Sequence, residues 1–351
     1  MVKRVEKLVV IGAGLIGTSI ALGVKRNGAA VQLIDIDGRA QALANDLVDS
    51  KEVTDPDLVV IATPTSALGK TIESFKDIYP KSTFIDIGST KAKVQVAIQA
   101  FPGLESRFCP THPMAGRELD GAEAAQSDLF VGKSWVITPL PATNPESIHL
   151  VKALIESLGA RAIEMDLVEH DAAVALVSHM PQIISSLLAA QLLGKSSEYL
   201  ALSGSGLLDT TRIAGSNPDL WKEILNLNKE SLMPLLRNLQ KDLSILIEEY
   251  DVQDLLIRGR AGRNSLPGKH RSNLRNYTYL PVVLEDKPNQ LAALFNECAK
   301  ANINVEDISI EHSPEQETGL VLLALSADNA DILQKHLITG GWRVHPPRSE
   351  K

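Results

Sequence analysis

The sequence predicts an α/β protein in three parts: a doubly wound, mainly parallel N-terminal sheet, an all-helical middle, and a small C-terminal βαββαβ domain. Three observations carry this reading. From Lys7 to about Leu167, short apolar runs alternate with helix-patterned stretches, the rhythm of strands joined by helical crossovers. From Glu169 to Tyr250 the strand pattern stops and apolar positions recur at three and four. From Tyr277 the strand alternation resumes. A chain of 351 residues is long enough for two or three domains. The expected division is a sheet domain at 1–167, a helical domain at 168–262, a basic linker at 263–276 and a terminal domain at 277–351.

In the first part, strands are predicted at Leu8 to Ile11, Val31 to Ile34, Leu58 to Ala62, Thr83 to Ile87, Ser134 to Thr138 and Ala160 to Met165. In the second, Ser216-Asn217-Pro218-Asp219 signals a helix start, with a capping residue followed by proline at the first helical position. The stripe Trp221, Ile224, Leu225, Leu232, Leu235, Leu236, Leu239, Leu243 and Leu246 then predicts one rod running past Pro234, where it is expected to kink. A rod of about 30 residues spans roughly 45 Å, more than a helical domain of this size can cover, so a homodimer is expected. The stretch from Arg258 to Arg275, rich in Gly, Pro and basic residues, is a linker by composition. Beyond it come strand Tyr279 to Leu284, helix Gln290 to Ala301, strands Val305 to His312 and Gly319 to Ser326, helix Asn329 to Leu337, and strand Trp342 to His345.

Composition narrows the function. With 35 Lys and Arg against 43 Asp and Glu, the net charge is −8, and an acidic chain is a poor ligand for nucleic-acid backbone. Two cysteines, Cys109 and Cys298, fit neither a disulfide framework nor a structural zinc site. The opening Leu8 to Ile11 run is cut by Gly12, and nowhere do 18 apolar residues follow one another, so no signal peptide and no membrane partner are expected. A reducing, cytoplasmic setting and small-metabolite chemistry are the expectation.

The strongest motif is Gly12-Ala-Gly14-Leu15-Ile16-Gly17, placed directly after a predicted strand and opening a helix. Asp35 ends the next strand 18 residues beyond Gly17. Each part has a task in a Rossmann dinucleotide site: Gly12 makes the tight turn, Gly14 admits the pyrophosphate, Gly17 lets helix and strand pack closely, and the helix N-terminus stabilises the phosphates. Asp35 can accept the adenosine ribose hydroxyls and would repel a 2′-phosphate, so NAD is expected over NADP. Thr63-Pro64 and Gly88-Ser89-Thr90-Lys91 follow two further strands, where such a sheet lines its crevice. His112, in Thr111-His112-Pro113, faces the same crevice, and imidazole is the side chain suited to take a proton near neutral pH.

Taken together, the fingerprint, Gly88-Ser-Thr-Lys91, His112-Pro-Met-Ala-Gly116, Asp128-Leu-Phe130, His170-Asp171, Ser178-His179-Met180-Pro181 and Asp209-Thr-Thr-Arg-Ile-Ala214 resemble the prephenate dehydrogenases of tyrosine biosynthesis. The likeness is to the form with a trailing ACT domain. It implies NAD-dependent oxidation and decarboxylation of prephenate to 4-hydroxyphenylpyruvate, carbon dioxide and NADH, with no metal. It also implies that His112 accepts the hydroxyl proton, that Ser89 positions His112 or the hydroxyl, and that His179 and Arg212 belong to the substrate wall. Two departures stand out: Gln182 replaces the histidine that commonly ends Ser-His-x-Pro-His, and Lys229 replaces the arginine of Asn-Arg. Arginine grips a carboxylate in two places and lysine in one. Both positions are therefore expected in the substrate site, with arogenate as the alternative substrate because the Gln182 carbonyl could accept from its ammonium. A catalytically silent NAD or amino-acid sensor is the other alternative; it would have no need of His112 and Ser89.

The terminal domain resembles an ACT domain, a module that senses amino acids. Asp286-Lys-Pro-Asn289-Gln290-Leu291 matches its usual first loop except for Asn289 in place of glycine, and Asn tolerates positive φ better than most residues. The resemblance implies L-tyrosine as effector, held near Asp286 to Leu291 and the facing segment Asn302 to Asp307, Asn304 included.

Overall fold

The computed structural model describes residues 4–116, 121–266, 277–311 and 317–348, which pack as two compact units, Met1–Ile247 and Glu248–Lys351. In the first, β1 (Lys7–Ile11), β2 (Ala30–Ile34), β3 (Leu58–Ile61) and β4 (Thr83–Asp86) form a parallel sheet in the order β2-β1-β3-β4. The crossovers are α1 (Leu15–Arg26), α2 (Gly38–Val48) and α3 (Leu68–Phe75); α4 (Ala92–Gln99) follows β4. Leu8, Val10, Leu58 and Val60 face one core and Val9, Ile11, Val59 and Ile61 the other. Both faces are therefore covered, which is why these strands read as unbroken apolar runs. Each such side chain withdrawn from water contributes about 1.5–3 kcal/mol.

The sheet continues through a parallel bridge between Phe84 and Phe108 into β5 (Thr111–Pro113), β6 (Ser134–Ile137) and β7 (Arg161–Glu164), with α5 (Pro145–Ser157) between the last two. Here β5 runs antiparallel to β6, while β6 and β7 are parallel. His112 thus lies inside a three-residue strand that the apolar pattern does not announce, because ladder bonds to β6 and side-chain bonds to Asp86 and Lys91 hold it extended.

A helical stretch begins with α6 (Leu167–Val174), passes through a π-helical turn at Ala175–His179 and continues as α7 (Met180–Ala190). Proline explains the wide turn: Pro181 cannot donate to the Val177 carbonyl and its ring crowds that group, so the turn opens instead of breaking. By length and composition this 24-residue stretch is apolar enough to cross a membrane. Yet it carries His170, Asp171, His179 and Gln182, all buried within the unit, and exposes Leu176, Val177, Leu187 and Leu188.

After the short α8 (Ser197–Leu200) and α9 (Ser205–Thr211) come α10 (Pro218–Leu227) and α11 (Lys229–Glu249). The expected single rod is therefore two helices. The break falls at Asn228 and not at Pro234, which α11 accommodates. Asn228 leaves helical geometry so that its side chain can bond a neighbouring helix, a tertiary demand that periodicity does not reveal.

In the second unit, α12 (Val252–Asn264) includes residues 258–264, read from composition as linker. Asp251 caps it through the Asp254 N–H, and the Asp254–Arg258 pair at i, i+4 supports it. Residues 267–276 of the expected linker lie outside the described residues. Then β8 (Thr278–Glu285), α13 (Gln290–Lys300), β9 (Asp307–Glu311), β10 (Thr318–Leu325), α14 (Ala327–Thr339) and β11 (Arg343–Val344) follow. They form an antiparallel sheet ordered β11-β8-β10-β9, the split βαβ arrangement. Leu280, Val282, Leu323 and Leu325 of the sheet close on Leu294, Leu333 and Leu337 of the two helices.

Candidate active site

The glycine loop after β1 has the space and strain its motif requires. Gly12 sits at φ +115°, where a Cβ would lie 2.5 Å from the Ala62 carbonyl oxygen; one on Gly17 would lie 2.1 Å from that of Gly12. A Cβ on Gly14 would meet nothing within 4 Å, so the loop is open where a phosphate must approach. No side chain caps α1, which leaves the amides of its first turn, Leu15 and Ile16 among them, available to an anion. Asp35 is held in place: Oδ2 accepts from the Ala13 N–H at 2.6 Å and Oδ1 from the Asp37 N–H at 2.8 Å. Each oxygen keeps a lone pair for a ribose hydroxyl. Thr63 backs onto the glycine loop, and Pro64 precedes a 3₁₀ turn at Thr65–Ala67. These residues fit a dinucleotide.

From there the carboxyl ends of the strands make a continuous row. A Cβ on Gly88 would strike Thr65 Oγ1 and Asp86 Oδ2. Asp86 Oδ2 accepts from Lys91 Nζ at 2.5 Å, and the same ammonium donates to the Thr111 carbonyl at 2.6 Å, beside His112. Lys91 is fully buried; burial lowers its pKa against the opposing pull of Asp86. Cys109 is no nucleophile, since burial first, and then the Asp86 charge, pushes its thiol up to about 12.

His112 ends a relay. Its Nδ1 lies 2.9 Å from His170 Nε2, and His170 Nδ1 lies 2.9 Å from Asp171 Oδ1. The Asp171 carboxylate also accepts the backbone N–H groups of Lys91 at 2.7 Å and Ala92 at 2.8 Å, capping α4 from the helical layer. Burial raises the Asp171 pKa, but the hydrogen bonds from His170, Ala92 and Lys91 outweigh it and hold the acid low. A carboxylate has no proton to give, so His170 carries hydrogen on Nδ1 and, as a neutral ring, accepts at Nε2. His112 must then donate from Nδ1, which leaves its Nε2 with a free lone pair. That tautomer is assigned from the partners. Burial above all, with the Lys91 ammonium pushing the same way, keeps the His112 pKa well below 6.5.

The other expected residues divide. His170 and His179 are nine positions apart, two and a half turns of an uninterrupted α-helix and so on opposite faces; the π-turn swings His179 round. It is buried, with Trp221 edge-on at 6.1 Å. Burial lowers its pKa to about 4, and His170 pushes the same way, with Asp171 opposing. Gln182 is buried, donating from Nε2 to the Ile213 carbonyl at 3.0 Å, while its Oε1 has no partner among the described residues. It lines a pocket of about 400 Å³ with Trp221, Ser186, Ser216 and Leu225. Ser89 is half-buried in the β4–α4 loop, but the group bonded to His112 is His170. Arg212, at the start of a 3₁₀ turn, and Lys229, at the start of α11, are both exposed. Sequence reasoning gave no role to His170, Asp171 or Asn228. The adjacent His-Asp pair on one helix was the available signal.

In the second unit, Asn289 takes up φ +69° at the start of α13, as its substitution for glycine requires. Gln290 is half-buried and Leu291 exposed. The Asp286 N–H donates to the Glu317 carbonyl, and Asn304 donates to Glu306 at 3.2 Å.

Comparison with known proteins places the chain. The nucleotide-binding domain of prephenate dehydrogenases matches residues 20–164, and their dimerization domain matches residues 167–256. The cyclohexadienyl dehydrogenase of Zymomonas mobilis is 32% identical over 271 residues, covering 71% of this chain and 90% of that one. The prephenate dehydrogenase of Bacillus subtilis is 28% identical over 347 residues, covering 92% and 93%. The crystal structure of the Aquifex aeolicus prephenate dehydrogenase in complex with hydroxyphenyl propionate and NAD+ superposes with a TM-score of 0.66 at 26% identity, over 75% of this chain and 98% of that one. With both domains matched in order and a relative above 30% identity nearly spanned, the chain belongs to the prephenate dehydrogenase family.

Proposed function

We propose that this chain is an NAD-dependent prephenate dehydrogenase that forms 4-hydroxyphenylpyruvate, carbon dioxide and NADH for tyrosine synthesis. The observation that carries it is the His112–His170–Asp171 relay at the end of the strand row that begins with the glycine loop. NAD, when bound, takes up the hydride from the ring carbon that bears the hydroxyl. His112 Nε2 accepts the hydroxyl proton, and the positive charge it gains is stabilised through His170 by Asp171. Loss of the ring carboxylate then aromatises the ring, which makes the step irreversible. Ser89 contacts the hydroxyl or the nicotinamide, and His179, Gln182, Arg212 and Lys229 surround the rest of the substrate. Mixing the pure protein with prephenate and NAD should raise the NADH absorbance. NADP should be at least about tenfold poorer in kcat/KM, the equivalent of roughly 1.4 kcal/mol lost at Asp35. A protein silent with every cofactor and substrate pair would leave the sensor reading standing.

A second reading, arogenate as substrate, is favoured by the Gln182 Oε1 in its pocket, which has no partner among the described residues and is an acceptor suited to an ammonium. Prephenate is nevertheless expected to be the better substrate, and Gln182→His to widen its lead, because a histidine that gains a proton adds positive charge where arogenate carries its own. A wild-type preference for arogenate would reverse the assignment.

The exposed Leu176, Val177, Leu187, Leu188, Leu243 and Ile247 support a homodimer through the helical layer. Light scattering should report about twice the 37.9 kDa chain mass, and a monomer at micromolar concentration would exclude this. The second unit is read as an ACT-like regulatory domain, with L-tyrosine as its effector at Asp286, Asn289, Gln290, Leu291 and Asn304. Tyrosine should lower substrate affinity by about 5- to 150-fold, and Asn304→Asp should relieve it while leaving basal turnover intact. Indifference of the full chain to millimolar tyrosine would dismiss that role.

A further inference from the structure

Asn228 occupies the break between α10 and α11 and is 3% exposed. Its Nδ2 lies 2.8 Å from the Asp171 carbonyl oxygen and 3.1 Å from His179 Nδ1. The first contact settles which way the amide points. A backbone carbonyl only accepts, so the group facing it is the NH₂ and cannot be the amide oxygen. The second N–H then points at His179 Nδ1, which must hold a lone pair. The proton of a neutral His179 is therefore on Nε2.

This polarity is the reverse of that at His112. The relay from Asp171 leaves His112 with an acceptor nitrogen at its outward end, whereas the tie from Asn228 leaves His179 with a donor. Both histidines are set by the same residue: Asp171 orients one chain through its carboxylate, and through its own carbonyl it orients the amide that orients the other. We propose that Asn228 is a positioning residue for the reaction, locking His179 as the neutral Nε2–H tautomer so that it donates to a carboxylate or carbonyl oxygen of the substrate. This rests on the reading of His179 as a substrate-site residue. An acceptor in its place would repel that oxygen and compete with His112 for the proton.

The surroundings agree with a neutral ring. The titratable groups around it are His170 and Asp171 on α6 and His112 on β5, and Trp221 of α10 closes another side. Burial holds the ring to a pKa of about 4, so it stays uncharged at working pH. The proposal also accounts for the helix break. A straight rod would carry residue 228 on in helical geometry, without the turn that presents its amide to α6.

The test is long-range proton–nitrogen NMR on the full chain with nitrogen-15 histidine, the His179 signals being identified by their loss in His179→Gln. The wild-type ring should show its proton on Nε2, unchanged from about pH 5 to 8. Asn228→Asp cannot donate to Nδ1, so the proton should move to Nδ1 and kcat/KM for prephenate should fall by about 10- to 100-fold, the scale of one or two misdirected hydrogen bonds. If that variant does not fold, Asn228→Ala should leave the ring exchanging between tautomers. A wild-type proton on Nδ1, a doubly protonated ring at neutral pH, or a ring unmoved in both variants overturns the proposal. A ring that switches with kcat/KM unchanged overturns the positioning role by removing His179 from the substrate site, while the lock on the tautomer stands. If the wild type turns over neither prephenate nor arogenate, the spectrum still decides the tautomer, so the two failures are separable.

Discussion

His112→Ala is expected to lower kcat by about 10²- to 10⁴-fold, the usual worth of a positioned general base, with little change in NAD affinity. The base acts when the proton leaves the hydroxyl, so its loss falls on the transition state and spares cofactor binding. His112 is a base only when neutral, so activity should be full above its pKa and fall below it. Burial and the Lys91 ammonium hold that pKa well under 6.5. The acid limb of kcat/KM should therefore lie below the ordinary histidine range, and the profile should be flat through neutrality. A variant with ordinary kcat, or an acid limb at or above pH 6.5, would show that His112 is structural.

Asp171→Asn is expected to cost roughly 30- to 100-fold in kcat. Across one intervening imidazole, at an effective dielectric of about 20, the carboxylate stabilises the incoming positive charge on His112 by about 2 kcal/mol. Asparagine removes that charge and keeps nearly the same shape. Whichever way it turns, its NH₂ faces one backbone donor, that of Lys91 or that of Ala92, so some loss of stability accompanies the kinetic effect. The kinetic effect carries a separate signature. Without the negative charge a protonated His112 is less stable, so the acid limb should move further down in pH. A lower rate with the acid limb unmoved would mean that Asp171 serves only to cap α4.

The parts of the site that depend on neighbouring residues in the chain were legible. The glycine fingerprint and Asp35 are local: one turn, one helix start and one strand end place them, and each glycine is needed because a Cβ would meet backbone or fill the phosphate space. His112 was singled out because Thr111 and Pro113 flank it at the crevice, although the strand that holds it was missed. Three residues of antiparallel ladder leave no periodic trace. The relay behind it was not found, since His170 and Lys91 lie 58 and 20 residues from the groups they bond.

By itself, then, the sequence determined the three-part order of elements, the strands of the parallel sheet and the dinucleotide loop, and it singled out His112 as the candidate base. These follow from periodicity, turn chemistry and the steric freedom of glycine, all written over a few residues at a time. The tertiary structure alone supplied the partners from which the tautomers of His112, His170 and His179 are assigned, and it alone showed that Lys229 is exposed while Asn228 is buried and that the long rod breaks. The physical reason is that a hydrogen-bond partner fixes a tautomer or ends a helix only when the fold brings it within about 3 Å, and here those partners come from strands and helices far apart in the chain.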